Sequence, residues 1–401
     1  MPANLSSLLV IASVAVLAPI AVDYLRAVRV PVVVVELVAG VVVGPQALAL
    51  ATTGGIVTTL STFGLAFLFF LAGLEIDFDR VRGRPLELAA LGWLVSAAVG
   101  FGCAAVLHAE GRVISTLVVG LCLVTTSLGT LVPILKDRGL LETHFGTCVL
   151  AIGTIGEFGP IVLVSLLLGV DRAGKAAVLL GLFIAIALTA ALLALWWRPT
   201  RIMRLIERTM RESAQLAVRL SWLLLVLMLY ITARFGLDVI LGAFAAGLVV
   251  GLVAQGPEGE PLRARLDAIG FGVFVPIFFV TSGIGLDVDA LFKSASTIAR
   301  VPVFLALFLL VRGLPAMLFG RTLPRADLLP LALLSATALP VIVAVTEIAL
   351  RTDRITSANA AALVGAGMLS VLIFPVVALG LRRRASEPAA PGAIETHPVS
   401  H

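Results

Sequence analysis

The segments FFLAGLEIDFD (Phe69–Asp79) and FFVTSGIGLDVD (Phe278–Asp289) decide how this chain folds, because the second restates the first 210 residues later. Gly73, Asp77 and Asp79 fall on Gly283, Asp287 and Asp289. Upstream, AGVVVG (Ala39–Gly44) recurs as AGLVVG (Ala246–Gly251) at an offset of 207. Downstream, TTSLGTLVPIL (Thr125–Leu135) lies opposite SATALPVIVAV (Ser335–Val345), again at 210. One such match among Gly-, Ala- and Val-rich segments is as easily chance as not. Three in the same order make an internal repeat.

What repeats is a set of membrane spans. The 401 residues are 60% hydrophobic and 13% charged, against roughly 45–50% and 25% in a soluble domain. At about 20 residues per crossing, the long apolar runs give thirteen spans, at 5–25, 30–51, 56–75, 86–108, 113–135, 144–170, 176–197, 214–235, 238–255, 268–286, 299–319, 327–350 and 358–381. This excludes a soluble enzyme with one anchor and the short alternating segments of a β-barrel. The first run has no basic n-region and leads directly into another span, so it reads as a helix rather than a signal peptide. Cys103, Cys122 and Cys148 all lie within apolar runs and read as buried thiols.

Spans one to six pair with eight to thirteen, leaving the seventh as a linker. The organisation expected is a transmembrane region over 1–384 (repeat one 1–170, linker helix 171–211, repeat two 212–384) and a disordered tail over 385–401. An odd linker inverts the second half in the membrane, which is the construction of a secondary transporter with its site at the repeat interface. Of the 29 Lys and Arg residues, 19 fall on the side reached after the first span and eight on the other; Arg219 and Arg312 lie within spans. The positive-inside rule then puts the N-terminus outside and the C-terminus in the cytoplasm. The basic run Arg198–Arg211 reads as an interfacial connector able to meet anionic lipid, rather than a nucleic-acid surface.

Ionisable groups inside spans are costly and mark function by default. Glu157 lies near the middle of the sixth span, in AIGTIGEFGPIVLVSLLL (Ala151–Leu168), and Arg312 in the middle of the eleventh. A carboxyl group alone in hydrocarbon holds its proton, and a guanidinium nearby opposes that, so the pair suits a proton carrier. A permanent ion pair joining two helices is the competing reading, and both hold if the pair breaks when a cation binds. Thr154 lies three residues before Glu157. In the fifth and twelfth spans Thr125, Thr126, Ser127, Ser335 and Thr337 cluster before Gly129 and Pro340, so both look like helix breaks. Unwound backbone is tolerated at membrane depth only where it lines a cavity or is buried in protein. Its carbonyls and hydroxyls can coordinate a cation, unless each hydroxyl bonds back to its own helix. Glu36, Glu75 and Glu347 sit toward span ends, where snorkelling is the plainer reading; Glu75 could line a cytoplasmic approach. The four histidines form no metal pair, and no HExxH or P-loop string occurs, which argues against an enzyme and against a cofactor.

FLFFLAGLEID, TTSLGTLVPILKDRGLLETHFG, FFVTSGIGLDVD and the basic residue of the eleventh span together resemble the monovalent cation:proton antiporter superfamily, in its bacterial Kef-type and Na+/H+ antiporter branch, over about residues 5–382. The resemblance implies an all-α fold of thirteen helices, with a dimerisation domain (spans one to three and eight to ten) and a core domain (four to six and eleven to thirteen). Spans five and twelve would be the crossed, broken helices. It maps the ion-binding carboxylate to Glu157, its basic partner to Arg312, the unwound-helix hydroxyls to Thr126 and Ser127, and a funnel glutamate to Glu75. It also implies a homodimer in the bacterial inner membrane, with a role in pH homeostasis. Relatives usually carry Asp preceded by Asp, Asn or Gln, whereas this chain has Glu157 preceded by Gly156, which leaves Na+ and K+ both open as substrates. The soluble nucleotide-binding domain of Kef-type systems is missing from the sequence.

The expected mechanism is competition: Glu157 takes either a proton or a transient Na+ or K+, with no tightly bound metal. Since Arg312 does not release its proton, exchange is expected to be one-for-one and electroneutral. Two other readings stand beside it: a Na+- or H+-coupled symporter of an organic anion on a related fold, and a non-transporting membrane sensor or scaffold.

Overall fold

The computed structural model describes residues 2–24, 30–76, 83–167, 181, 215–235, 239–254 and 259–386. Asp77, Asp79, the seventh span apart from residue 181, the rest of the linker helix, the Arg198–Arg211 run and residues 387–401 lie outside them.

Within the described residues the chain is helical: α1 (Pro2–Tyr24), α2 (Val32–Val43), α3 (Ile56–Glu75), α4 (Arg84–Ala109), α5 (Thr116–Leu123), α6 (Leu128–Asp137), α7 (His144–Leu167), α8 (Leu216–Phe235), α9 (Val239–Val253), α10 (Glu260–Gly285), the short α11 (Val288–Phe292), α12 (Ala295–Arg321), α13 (Arg325–Ser335), α14 (Pro340–Arg351) and α15 (Ser357–Ser386). Among the described residues, nine helical spans are long and apolar enough to cross a membrane, and three shorter apolar helices accompany them. With no water to pair backbone groups, helices of this kind are what apolar sequence can form in lipid. The tenth span starts earlier than expected, at Glu260, and includes the charged turn carrying Arg263 and Asp267.

Helices α1, α2, α3, α8, α9 and α10 pack as one bundle, and α4 to α7 with α12 to α15 as a second. The repeated glycines build the first. A Cβ on Gly40 of α2 would stand 2.2 Å from the Val280 carbonyl oxygen of α10, and one on Gly283 of α10 2.2 Å from that of Leu37. The equivalent pair does the same between the other two helices: Gly73 of α3 meets the Phe244 carbonyl at 2.3 Å, and Gly247 of α9 meets that of Phe70 at 1.9 Å. Gly40 and Gly247 are repeat-mates, as are Gly73 and Gly283, so the two contacts are copies of one another, each joining a glycine of one motif to a glycine of the other. Small residues let backbones approach this closely in lipid. Direction follows too: Gly64 packs on Phe274 while Leu71 packs on Gly270. Sequence position rises along α3 as it falls along α10, so these repeat equivalents are antiparallel and the two halves are inverted.

The second bundle holds the breaks, at 124–127 between α5 and α6 and at 336–339 between α13 and α14. These stretches differ by 212 residues. The expected register of 210, set by aligning Thr125 with Ser335, is corrected by two: sequence similarity followed the hydroxyls, and the backbone follows the positions of the breaks. The span α13–α14 is the most enclosed, with 94% of its apolar window buried against 22% for the N-terminal span.

Candidate ion-binding site

The two unwound stretches cross and bond to one another. The Ser127 amide donates to the Thr337 carbonyl (2.9 Å), and the Thr126 hydroxyl donates to the Ser335 carbonyl. Neighbours meet further polar backbone: the Thr126 amide donates to the Gly156 carbonyl (3.0 Å), and the Trp93 indole N–H to the Val124 carbonyl (3.1 Å). On the other side Ser370 of α15 accepts from the Ala338 amide (3.1 Å) and donates to the Ala338 carbonyl (3.0 Å). Buried backbone groups are nearly always paired, and side chains from α4 and α15 supply part of that pairing.

Glu157 of α7 is 4% exposed, and its Oε2 accepts from the Leu128 amide at 3.0 Å. Leu128 opens α6, and the residue before it, Ser127, makes no capping bond to the helix; its hydroxyl pairs with that of Thr130 at 2.8 Å. A carboxyl group from another helix thus caps α6, at the end where the amides point outward and the helix dipole is positive. Oε1 makes no hydrogen bond among the described residues and is not sealed from solvent.

Arg312, 3% exposed, lies against Gly156, the residue before Glu157, and forms no salt bridge with Glu157. Its Nε donates to the Thr126 hydroxyl (2.8 Å), Nη1 to the Ser96 hydroxyl of α4 (3.1 Å) and Nη2 to the Ile152 carbonyl of α7 (3.3 Å). Every one of these acceptors is neutral. The ion pair expected between Arg312 and Glu157 is therefore not formed in this structure. The physical reason is local: Arg312 lies in a π-turn, Leu309–Gly313, which re-aims it onto the crossing, and π-turns of this kind recur at functional sites.

The expected hydroxyls divide into two groups. Ser335 donates to the Arg312 and Ala332 carbonyls (2.8 Å each), and Thr337 bonds back to Leu333 (3.2 Å), so both are spent on their own surroundings. Pro340 starts α14. Thr125 Oγ1 is buried with no partner, and buried Thr154, one turn before Glu157, makes no hydrogen bond among the described residues. Glu75, at the end of α3, withdraws Oε2 from solvent without a partner, 3.7 Å from where a Cβ on Gly129 of α6 would lie. It interacts electrostatically with Glu157, Asp267 and Arg263. Glu347 is partly exposed, paired with Arg351 (2.6 Å) and reached by Ser282 of α10 (3.3 Å). Glu36 departs from expectation: it is 3% exposed within α2, with no hydrogen bond among the described residues. The three cysteines are free thiols, two of them buried, and no group of His, Cys, Asp or Glu able to hold a metal ion occurs among the described residues.

Ser96, Trp93, Ser370, Arg263 and Asp267 are missing from the sequence reading. Ser96 and Ser370, both fully buried in mid-span, carried the only available signal: an isolated hydroxyl in an otherwise apolar helix. Chemically, the site offers a carboxyl group held by one oxygen at a helix N-terminus and open at the other. A buried hydroxyl without a partner lies on the adjoining break, and a fixed guanidinium is engaged elsewhere. A proton needs only the carboxyl; a desolvated cation needs further oxygens.

Residues 11–379 match the family model described as sodium/hydrogen exchanger, transmembrane. YjbQ of Bacillus subtilis, named as a candidate Na+/H+ antiporter, is 26% identical over 96% of this chain, which spans 64% of YjbQ's length. The Na+/H+-K+ antiporter GerN of Bacillus cereus is 26% identical over 65% of the chain and 67% of its own length. The fold is that of the sodium proton antiporter MjNhaP1 from Methanocaldococcus jannaschii, with a TM-score of 0.60 over 92% of this chain and 97% of that one at 18% identity. The inverted halves, the crossed breaks and the match along nearly the whole chain lead to one conclusion: this multi-pass membrane protein belongs to the sodium/hydrogen exchanger transmembrane family of secondary transporters.

Proposed function

We propose that this chain exchanges protons for Na+ or K+ across a bacterial inner membrane, by competition of proton and cation for Glu157. The observation that carries this is the Glu157 carboxyl itself, which caps α6 through Oε2 and has no cationic partner within ion-pair distance among the described residues. An anionic carboxylate left empty in the membrane costs several kcal/mol of solvation. The core bundle therefore crosses only with Glu157 neutralised by one ligand or the other. Glu75 stands on the cytoplasmic approach, with Thr125 and Thr154 as further oxygens for the cation. Arg312 keeps its proton, so one cation exchanges for one proton and the cycle is electroneutral. The chain works as a homodimer through the first bundle, with its C-terminus in the cytoplasm.

The test is proton movement in inside-out vesicles after addition of NaCl or KCl. The wild-type protein should dissipate a preset pH gradient and Glu157→Gln should not; a Glu157→Gln variant exchanging at the wild-type rate overturns the site. In proteoliposomes, an imposed membrane potential should leave the steady-state cation gradient unchanged, and a shift with potential overturns electroneutrality.

A further inference from the structure

Two features of the second bundle act on the same guanidinium. The first is space. A Cβ on Gly156 would stand 2.4 Å from Arg312 Nη2 and 2.8 Å from both Cβ and Oγ1 of Thr126. Even alanine at this position would overlap the guanidinium, so the site next to Glu157 on α7 is open to Arg312 only because it is glycine.

The second is direction. Proline lacks the amide that would bond to the carbonyl four residues back, and its ring collides with that carbonyl. For Pro315 that carbonyl belongs to Val311, the middle residue of the π-turn Leu309–Gly313. The same arrangement occurs in α10, where Pro276 lies four residues beyond Gly272, the middle of the π-turn Gly270–Phe274. Two π-turns centred on the carbonyl that a proline displaces tie each turn to its proline, although Pro19, Pro160, Pro330 and Pro375 lie inside helices without one. A π-turn inserts one residue into a helix of 3.6 residues per turn, so it rotates the side chains before it by about 100° relative to those after it. In α12 that rotation aims Arg312 at Thr126 and Ser96.

We propose that Gly156 and Pro315 are positioning residues that together hold the Arg312 guanidinium on the helix crossing and off Glu157, keeping the Glu157 carboxylate free for the transported cation. The inference rests on the reading of Glu157 as the exchange site. A guanidinium in contact with a carboxylate competes directly with a monovalent cation for it, and in a buried site that competition is strong. With the glycine, Nη2 has room beside α7 and bonds the Ile152 carbonyl. With a side chain there, the guanidinium is displaced from its three acceptors, and Glu157, on the next residue, is an anionic acceptor within its compass.

The test measures the apparent KM for NaCl and for KCl separately from the maximal rate, by gradient dissipation in inside-out vesicles holding equal amounts of each variant. Gly156→Ala and Pro315→Ala are expected to raise the apparent KM about tenfold or more, with the maximal rate within about threefold of wild type. A merely structural role would lower the rate or the amount of folded protein at constant KM. Lysine lacks the Nη2 atom that meets the new methyl, so the double variant G156A/R312K, which keeps only the overlap with Thr126, should return the KM part of the way to wild type. Should G156A fail to assemble, the KM of Pro315→Ala decides the proposal. A wild-type KM in both single variants, a loss of rate alone in both, or no recovery in the double variant overturns the proposal. If the wild-type protein itself dissipates the gradient with neither salt, the exchange reading fails instead.

Discussion

The two broken spans share a backbone and differ in chemistry. Both unwind at equivalent places, and the same amide in each break, that of Thr126 or Ala338, is taken up by a neighbouring helix. In the first break the acceptor is the Gly156 carbonyl of α7, and the next residue, Glu157, reaches on to cap α6. In the second it is the neutral hydroxyl of Ser370 on α15, and α14 opens with Pro340, which brings no amide to cap. Inversion has thus produced two breaks and a single acid beside them among the described residues. One half-helix presents an N-terminus to a titratable group; the other is closed with uncharged partners. This asymmetry is why the proposed exchange site is one rather than two in a two-fold fold.

Removing the acid erases the difference and should have the largest effect. Glu157→Gln leaves an oxygen to accept the Leu128 amide, so the protein should fold with little change in thermal midpoint in detergent while cation-driven proton movement falls to background. Next in size is Ser370→Ala, which leaves both the amide and the carbonyl of Ala338 unpaired in the core. It should cost about 1–3 kcal/mol in stability, read as a lower unfolding midpoint, and leave the cation KM as it was. A raised KM would mean that the second break also touches the ion. The smallest effect belongs to Thr125→Val, which deletes a buried hydroxyl without a partner. If that oxygen joins the cation, the apparent KM rises a few-fold, in keeping with about 1 kcal/mol, and stability holds or improves. A fall in stability at constant KM would show that the hydroxyl serves the fold alone.

Much of this architecture is legible in the sequence because the repeated motif is the contact itself. Gly40 and Gly247, Gly73 and Gly283 are recognisable as equivalents in the sequence, and the same four glycines, paired crosswise, are what allows the helices to meet. Glu157 is legible for a different reason, the cost of an acid at mid-span. Arg312 is legible as a residue but not in its aim, since its direction depends on a π-turn tied to a proline three positions further on, and helical periodicity carries no trace of it. The two-residue slip between the breaks has a similar origin: hydroxyls align in sequence, whereas unwinding depends on which neighbours can pair the freed amides. Ser96 and Ser370 are ordinary serines until the fold brings Arg312 and Ala338 to them.

The glycine seams of the first bundle bear on how the molecule can move. Their contacting atoms are main chain, so no change of rotamer can loosen them, and that bundle behaves as a stiff wall. Any relative travel has to be absorbed where the bundles touch through side chains, such as the ring of Phe158 against Phe244 and the Ser282 hydroxyl on Glu347, contacts that can slip by a bond rotation.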